Sequence, residues 1–303
     1  MTKRYVYISG EFVVEEDAKI SVNDSAVLLG YSVTDSSRTF AHRPFKIERH
    51  VDRMYKSLKA ARIDPGMSSA EMVRVTCEVT ERNLEGLESH QDLWIVHTVS
   101  NGQTRLGPDP SVRESGATII ISNPFLDLRG WAGYYSTGCH AVTSTSRAIP
   151  AQSLDARIKN RSRMAYTLAE AEVKLVDSNA QGVILDVNGF VAENKGGNIF
   201  IVSEGELLTP TTVNCLAGIS RETVLELATK LSIPTRETTL LPYDLYTADE
   251  MFFTSTPYCM MPATRFNGID VGAGEVGPIT KRLLAAWSEL VDVDIVQQAR
   301  EQR

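Results

Sequence analysis

Lys159 lies in Arg157-Ile158-Lys159-Asn160-Arg161-Ser162-Arg163, a stretch with four basic residues in seven. Such a run is usually a solvated face, but cationic neighbours also lower a lysine's pKa and make it a nucleophile or proton carrier. Spacing does not choose between the two readings. Glu193 closes an apolar stretch and is followed by Asn194-Lys195-Gly196-Gly197-Asn198. A strand-end carboxylate beside two glycines is either a solvated edge residue or a group held against a ligand, and exposure is the ordinary state of glutamate.

Gly218-Ile219-Ser220-Arg221 opens a helical pattern carried by Val224, Leu227, Ala228 and Leu231. Ser220 suits an N-cap and Glu222 suits the positive end of the dipole, which describes a capped surface helix. The chemical alternative is a phosphate seat, because exposed N–H groups and the dipole attract an anion there. Thr254-Ser255-Thr256, after the apolar Met251-Phe252-Phe253, offers hydroxyls to the same anion or is simply a strand end. Gly272-Ala273-Gly274-Glu275-Val276-Gly277 is a GxGxxG. That fingerprint binds a dinucleotide only at the first strand-to-helix turn of a βαβ unit. Here a single helical pattern opened by Pro278 follows it, so no nucleotide is expected.

The elements that must position these residues are legible in outline. Gly10 sits between Tyr5, Tyr7, Ile8 and Phe12, Val14, a short hairpin. Val51, Met54, Leu58 and Ala61 have a helical period, and Ser68 or Ser69 caps a second helix reaching Asn83. Leu93–Val99 and Ala117–Ile121 read as strands. Met164, Leu168, Ala171 and Leu175 form one apolar helix stripe, expected to face the core. Asn188-Gly189 and Glu204-Gly205 each separate two apolar runs, the pattern of tight hairpins. Turn chemistry around Arg129–Gly133 suggests two α+β domains, 1–130 and 138–303, joined by a linker over 131–137.

The 303 residues carry 31 basic and 38 acidic side chains, a net charge of −7, without the basic footprint of a nucleic-acid binder. No signal-peptide pattern opens the chain, and no apolar run is long enough to span a membrane. Cys77, Cys139, Cys215 and Cys259 show no metal-type spacing, so no metal site and a reduced, cytoplasmic setting are expected.

Taken together, Glu193–Phe200, Leu207-Leu208-Thr209 and Leu216-Ala217-Gly218-Ile219-Ser220-Arg221 resemble the signature of the class IV, or fold-type IV, aminotransferases. This pyridoxal-phosphate family includes branched-chain and D-amino acid aminotransferases, (R)-selective amine transaminases and aminodeoxychorismate lyases. The resemblance runs from Ile158 to Lys281, and more thinly through His50-Val51-Asp52-Arg53. It implies a two-domain α+β fold of the D-amino acid aminotransferase type, a homodimer or higher oligomer, and ping-pong transamination with the cofactor between the domains. It makes Lys159 the Schiff-base lysine and proton carrier, and Glu193 the carboxylate on the pyridine nitrogen. Arg53, Ile219, Ser220, Ser255 and Thr256 become the phosphate ligands.

Several positions depart from the branched-chain pattern. Lys195 replaces a small residue, Met164 replaces a tyrosine, and Pro257 has no N–H to donate. Thr34-Asp35-Ser36-Ser37-Arg38-Thr39-Phe40 replaces an aromatic-Glu-Gly-Ile-Arg strand. Arg105, in a loop where D-amino acid and (R)-amine enzymes place a carboxylate-reading arginine, and Arg38 are candidate substrate ligands. Each also has a plain reading, as an exposed loop residue and a structural strand residue respectively. The expected substrate is therefore a D-amino acid or (R)-amine with a keto acid acceptor. An L-branched-chain aminotransferase comes next, and a lyase of the aminodeoxychorismate type or a vitamin-B6-binding protein remain as other classes.

Overall fold

The computed structural model describes residues 3–105 and 114–301. The chain divides into two compact units, Met1–Leu126 with Ile158–Ser162, and Asp127–Arg157 with Arg163–Arg303.

In the first unit, β1 (Tyr5–Ile8), β2 (Glu11–Val14), β3 (Ser32–Phe40), β4 (Arg43–Pro44), β5 (Trp94–Ser100) and β6 (Ile119–Ser122) form one sheet. Its order is β2-β1-β6-β5-β3-β4, and every pairing is antiparallel. The helices Ile47–Ala60 and Ser69–Leu84 lay Val51, Met54, Leu58, Met72, Val75 and Val79 against Val33, Ile95, Val99 and Ile121. Ser68 starts the second helix by accepting the Glu71 N–H at 3.2 Å, which satisfies one of the four orphan donors of a helix start.

The second unit is built on β7 (Cys139–Arg147), β8 (Gln181–Leu185), β9 (Val191–Glu193), β10 (Asn198–Ser203) and β11 (Glu206–Pro210). β12 (Thr235–Thr238), β13 (Glu250–Ser255), β14 (Cys259–Phe266) and β15 (Ile269–Asp270) complete it. The order is β12-β11-β10-β13-β14-β7-β8-β9, with β15 paired to β14. Both expected hairpins form. Gly189 has φ +88° between β8 and β9, while Glu204 and Gly205, at φ +50° and +77°, make the primed type of turn between β10 and β11. The helices Ile219–Lys230 and Pro278–Val291 cover β13.

Two sequence expectations differ from what forms. Residues 131–137 are no linker: Arg129–Ala132 and Tyr134–Thr137 are short helices of the second unit. The helix Met164–Val176 is present, but its Met164–Leu168–Ala171–Leu175 stripe faces away from the core, with Met164 75% and Leu175 89% exposed. Ala169 and Val173 do the packing instead, against Ala148, Ile184 and Ala192 and against Val142 and Ala180. Among the described residues no helix is long and apolar enough to cross a membrane.

Candidate active site

Lys159 is held by its backbone within the first unit. Its carbonyl accepts the Thr34 N–H at 2.9 Å and its N–H donates to Ser57 Oγ at 3.2 Å. Arg161 N–H donates to the Ser32 carbonyl at 3.0 Å, so the lysine segment runs beside β3 like an added strand. Thr34 and Ser57 thereby set where the lysine side chain begins.

One residue along β3, Asp35 is fully buried and receives Arg53 in two-point fashion, Nε to Oδ2 at 2.9 Å and Nη2 to Oδ1 at 2.8 Å. His50 Nδ1 meets Oδ1 at 2.7 Å. Burial alone would raise the Asp35 pKa, but the Arg53 charge and the His50 bond outweigh it and hold the carboxyl far below the usual carboxylate range. Burial also lowers the His50 pKa, against the pull of Asp35, while Arg53 and Lys159 add to the lowering. Arg53, an expected phosphate ligand, is thus a rigidly oriented guanidinium. Asp35 and His50 were not singled out as site residues from sequence. A carboxylate in mid-strand and a His-x-x-Arg spacing of one helix turn were the available signals.

In the second unit Glu193 is buried at the end of β9. Tyr166 Oη donates to its Oε1 at 2.7 Å and the Leu216 N–H to its Oε2 at 3.0 Å. The exposed-edge reading of Glu193 is thereby corrected: tertiary partners take the carboxylate out of water. Lys195 points its Nζ at Glu170, which also binds Lys174 at 3.0 Å.

Two residues beyond Leu216, the helix Ile219–Lys230 begins with Gly218 as its N-cap. Ser220 is therefore inside the first turn rather than capping it, a correction to the sequence reading. Gly218 offers no side chain to cap this end, so the first-turn N–H groups, those of Ile219 and Ser220 among them, are of the kind that takes an anion. A Cβ on Gly197 would stand 2.3 Å from the Thr254 carbonyl oxygen, so that position demands glycine, and one on Gly218 would stand 2.1 Å from Asn198 Oδ1 and displace that side chain. Thr254 Oγ1, on the strand paired with Asn198, is buried and unpartnered. Ser255 donates its hydroxyl to the Gly196 carbonyl at 2.5 Å, and Thr256 follows it half-buried.

The GxGxxG ends in a different helix start. Gly277 is the N-cap of Pro278–Val291, and the Glu250 carboxylate accepts the N–H groups of Ile279 and Thr280 at 2.9 and 2.7 Å. Gly272, at φ +55°, and Gly277 leave room for the Asp249 carbonyl and the Glu250 side chain, where a Cβ would stand 2.1 and 2.0 Å away. Gly277 makes room for a protein carboxylate, which takes the first-turn N–H groups of Ile279 and Thr280.

The two candidate substrate arginines diverge. Arg38 is buried: Nε donates to the Thr39 carbonyl at 3.0 Å, Nη2 lies 3.8 Å from Asp92 Oδ2, and the guanidinium stacks 3.9 Å from the Phe40 ring centre. It serves the structural role rather than the expected carboxylate-reading one. Arg105 is 84% exposed and paired with Glu114, and residues 106–113 of its loop lie outside the described residues.

A two-unit α+β fold, a buried carboxylate beside an uncapped helix N-terminus and a lysine beside β3 are the parts of a fold-type IV pyridoxal-phosphate enzyme. The family model for amino-transferase class IV matches residues 32–266, and the chain belongs to that family. It is 33% identical over 286 residues, 94% of this chain and 96% of the relative, to a putative branched-chain-amino-acid aminotransferase of Methanocaldococcus jannaschii. The crystal structure of the Escherichia coli branched-chain amino acid aminotransferase superposes with a TM-score of 0.88 at 30% identity, covering 95% of each chain. A further crystal structure, a branched-chain amino acid aminotransferase complexed with N-(5'-phosphopyridoxyl)-L-glutamate, gives 0.85 at 27% identity, covering 95% of this chain and 94% of that one. These relatives support the second-ranked expectation over the first: the likeness is to branched-chain enzymes, and a D-amino acid or (R)-amine preference finds no support among them.

The cofactor of class IV aminotransferases is pyridoxal 5'-phosphate. The residues here fit it. An open helix N-terminus and the unpartnered Thr254 hydroxyl suit a phosphate, and a buried, doubly bonded carboxylate suits a protonated pyridine nitrogen.

Proposed function

We propose that this chain is an L-branched-chain amino acid aminotransferase, passing the amino group of leucine, isoleucine or valine to a 2-oxo acid. One observation carries the site assignment: the Leu216 N–H bonded to Glu193 ties the buried carboxylate to the segment that opens the uncapped helix. A carboxylate for the ring nitrogen and donors for the phosphate thus come from one short stretch. The choice of L-branched-chain substrate rests on relatives alike over nearly the whole chain.

In this reading the Ile219 and Ser220 N–H groups, Arg53, Ser255 and Thr256 hold the phosphate. Glu193 keeps a proton on the pyridine nitrogen, and pyridoxal phosphate when bound supplies the electron sink for the pair released at Cα. The Lys159 amine would carry the proton between the substrate Cα and the cofactor's C4′ carbon, a general acid–base role.

The test is the absorption spectrum of the purified holoenzyme while L-leucine, D-alanine and (R)-1-phenylethylamine are added separately. Conversion by L-leucine, with 4-methyl-2-oxopentanoate as product, is expected. Conversion by D-alanine or the amine alone would overturn the substrate, and repeated turnover of aminodeoxychorismate to pyruvate without an amino acceptor would mark a lyase. A bound cofactor that no donor converts would mark a binding protein.

A further inference from the structure

The helix Met164–Val176 presents a polar face to the turn after Glu193. Arg163, immediately before the helix, Tyr166 and Glu170 follow one another at spacings of three and four, one above the other on a single side. Arg163 donates to the Lys195 carbonyl, Tyr166 Oη to Glu193 Oε1 at 2.7 Å, and Glu170 takes the Lys195 ammonium. The Arg163 guanidinium also lies over the Tyr166 ring, 3.9 Å from its centre. Tyr166 packs its ring against the Ala148–Ala169–Ile184–Ala192 cluster, which leaves the hydroxyl aimed at the carboxylate.

We propose that Tyr166 is a positioning residue for Glu193, a role that rests on Glu193 facing the pyridine nitrogen as assigned above. The phenol donates to the anionic carboxylate, which favours its ionised form and fixes its orientation. Burial and the neighbouring Glu193 charge both push the Tyr166 pKa far up, so the hydroxyl keeps its proton and stays a donor. Lys195 belongs to the same device. A long cation just after the catalytic strand end would be free to compete for Glu193, and Glu170 draws it away along the helix.

The experiment is a double-mutant cycle between Tyr166→Phe and Glu193→Gln, read on pyridoxal-phosphate affinity of the apoprotein by intrinsic fluorescence, and on kcat and KM of the holoenzyme. Tyr166→Phe keeps the ring and removes the donor. It is expected to weaken cofactor binding about tenfold and to lower kcat with KM for the amino donor little changed. In the Glu193→Gln background the same substitution is expected to change affinity less than twofold. Equal effects in both backgrounds, or none in the wild type, overturn the role of Tyr166. If Glu193→Gln itself leaves affinity and kcat unaltered, the assignment of Glu193 falls, and the positioning role with it.

Discussion

The Glu250 carboxylate binds Thr280 twice, accepting its backbone N–H and its hydroxyl, each at 2.7 Å. With the Ile279 N–H also taken, the helix behind the GxGxxG has its positive end neutralised by the protein's own anion. The helix behind Gly218 carries Glu222 in its first turn, but its N-cap is a glycine with no side chain to take the first N–H groups. The helix start behind the GxGxxG is thus spent on a protein carboxylate, and the proposed phosphate seat is the other one.

Glu250→Ala should therefore cost stability without touching catalysis. Removing the cap strands two buried donors, an expected loss of about 2 kcal/mol in chemical denaturation. The kcat of the folded variant is expected to match the wild type, and a loss of cofactor affinity would show that the loop serves the site.

Arg38 separates a structural role from substrate reading in the same way. Arg38→Met leaves Asp92 buried beside a missing partner, for an expected destabilisation of about 3 kcal/mol. KM for both substrates is expected to stay put in the folded fraction, and a raised KM at unchanged stability would restore the carboxylate-reading assignment.

Stability should fall as the pH drops from about 6.5 towards 4. His97 is fully buried, bonded to Thr76 Oγ1 at 2.8 Å with its Nδ1 unpartnered, and burial lowers its pKa to about 4 against the opposing pull of Asp35. His50 is lowered as well. Between the unfolded and folded values the unfolded chain binds the proton that the folded chain refuses, so stability rises with pH across that window. The His97 part is about 3 kcal/mol. The depressed Asp35 acts lower still: its contribution is present above the unfolded carboxylate pKa and lost as acid drives the folded group to protonate. Denaturation midpoints at pH 7 and pH 5 should differ, and His97→Gln should shrink the difference.

Lys159→Ala is expected to abolish transamination while keeping the fold, because Thr34 and Ser57 hold the backbone of residue 159 rather than its side chain. The loss of any lysine-dependent absorption change on adding cofactor, with a thermal midpoint near the wild type, is the check.

Much of this protein is written locally. Gly189 and Gly205 make their turns because left-handed backbone is cheap for glycine, and Ser68 starts its helix because a hydroxyl reaches a nearby N–H. Gly197 and Gly218 are legible as glycines because Thr254 and Asn198 come close to them, although these partners are distant in sequence. Burial is different. The apolar period of Met164, Leu168, Ala171 and Leu175 marks a helix but not which side is covered, since that depends on Ile184 and Ala192 arriving from other strands. Ser220 looks like a cap and Glu193 like an edge residue until the start at Gly218 and the reach of Tyr166 are known. Arg38 offers a substrate arginine until Asp92, far along the chain, claims it. Charge pairing and helix-end neutralisation join residues that sequence keeps apart, so only the folded chain decides which polar group is spent on structure and which is left for chemistry.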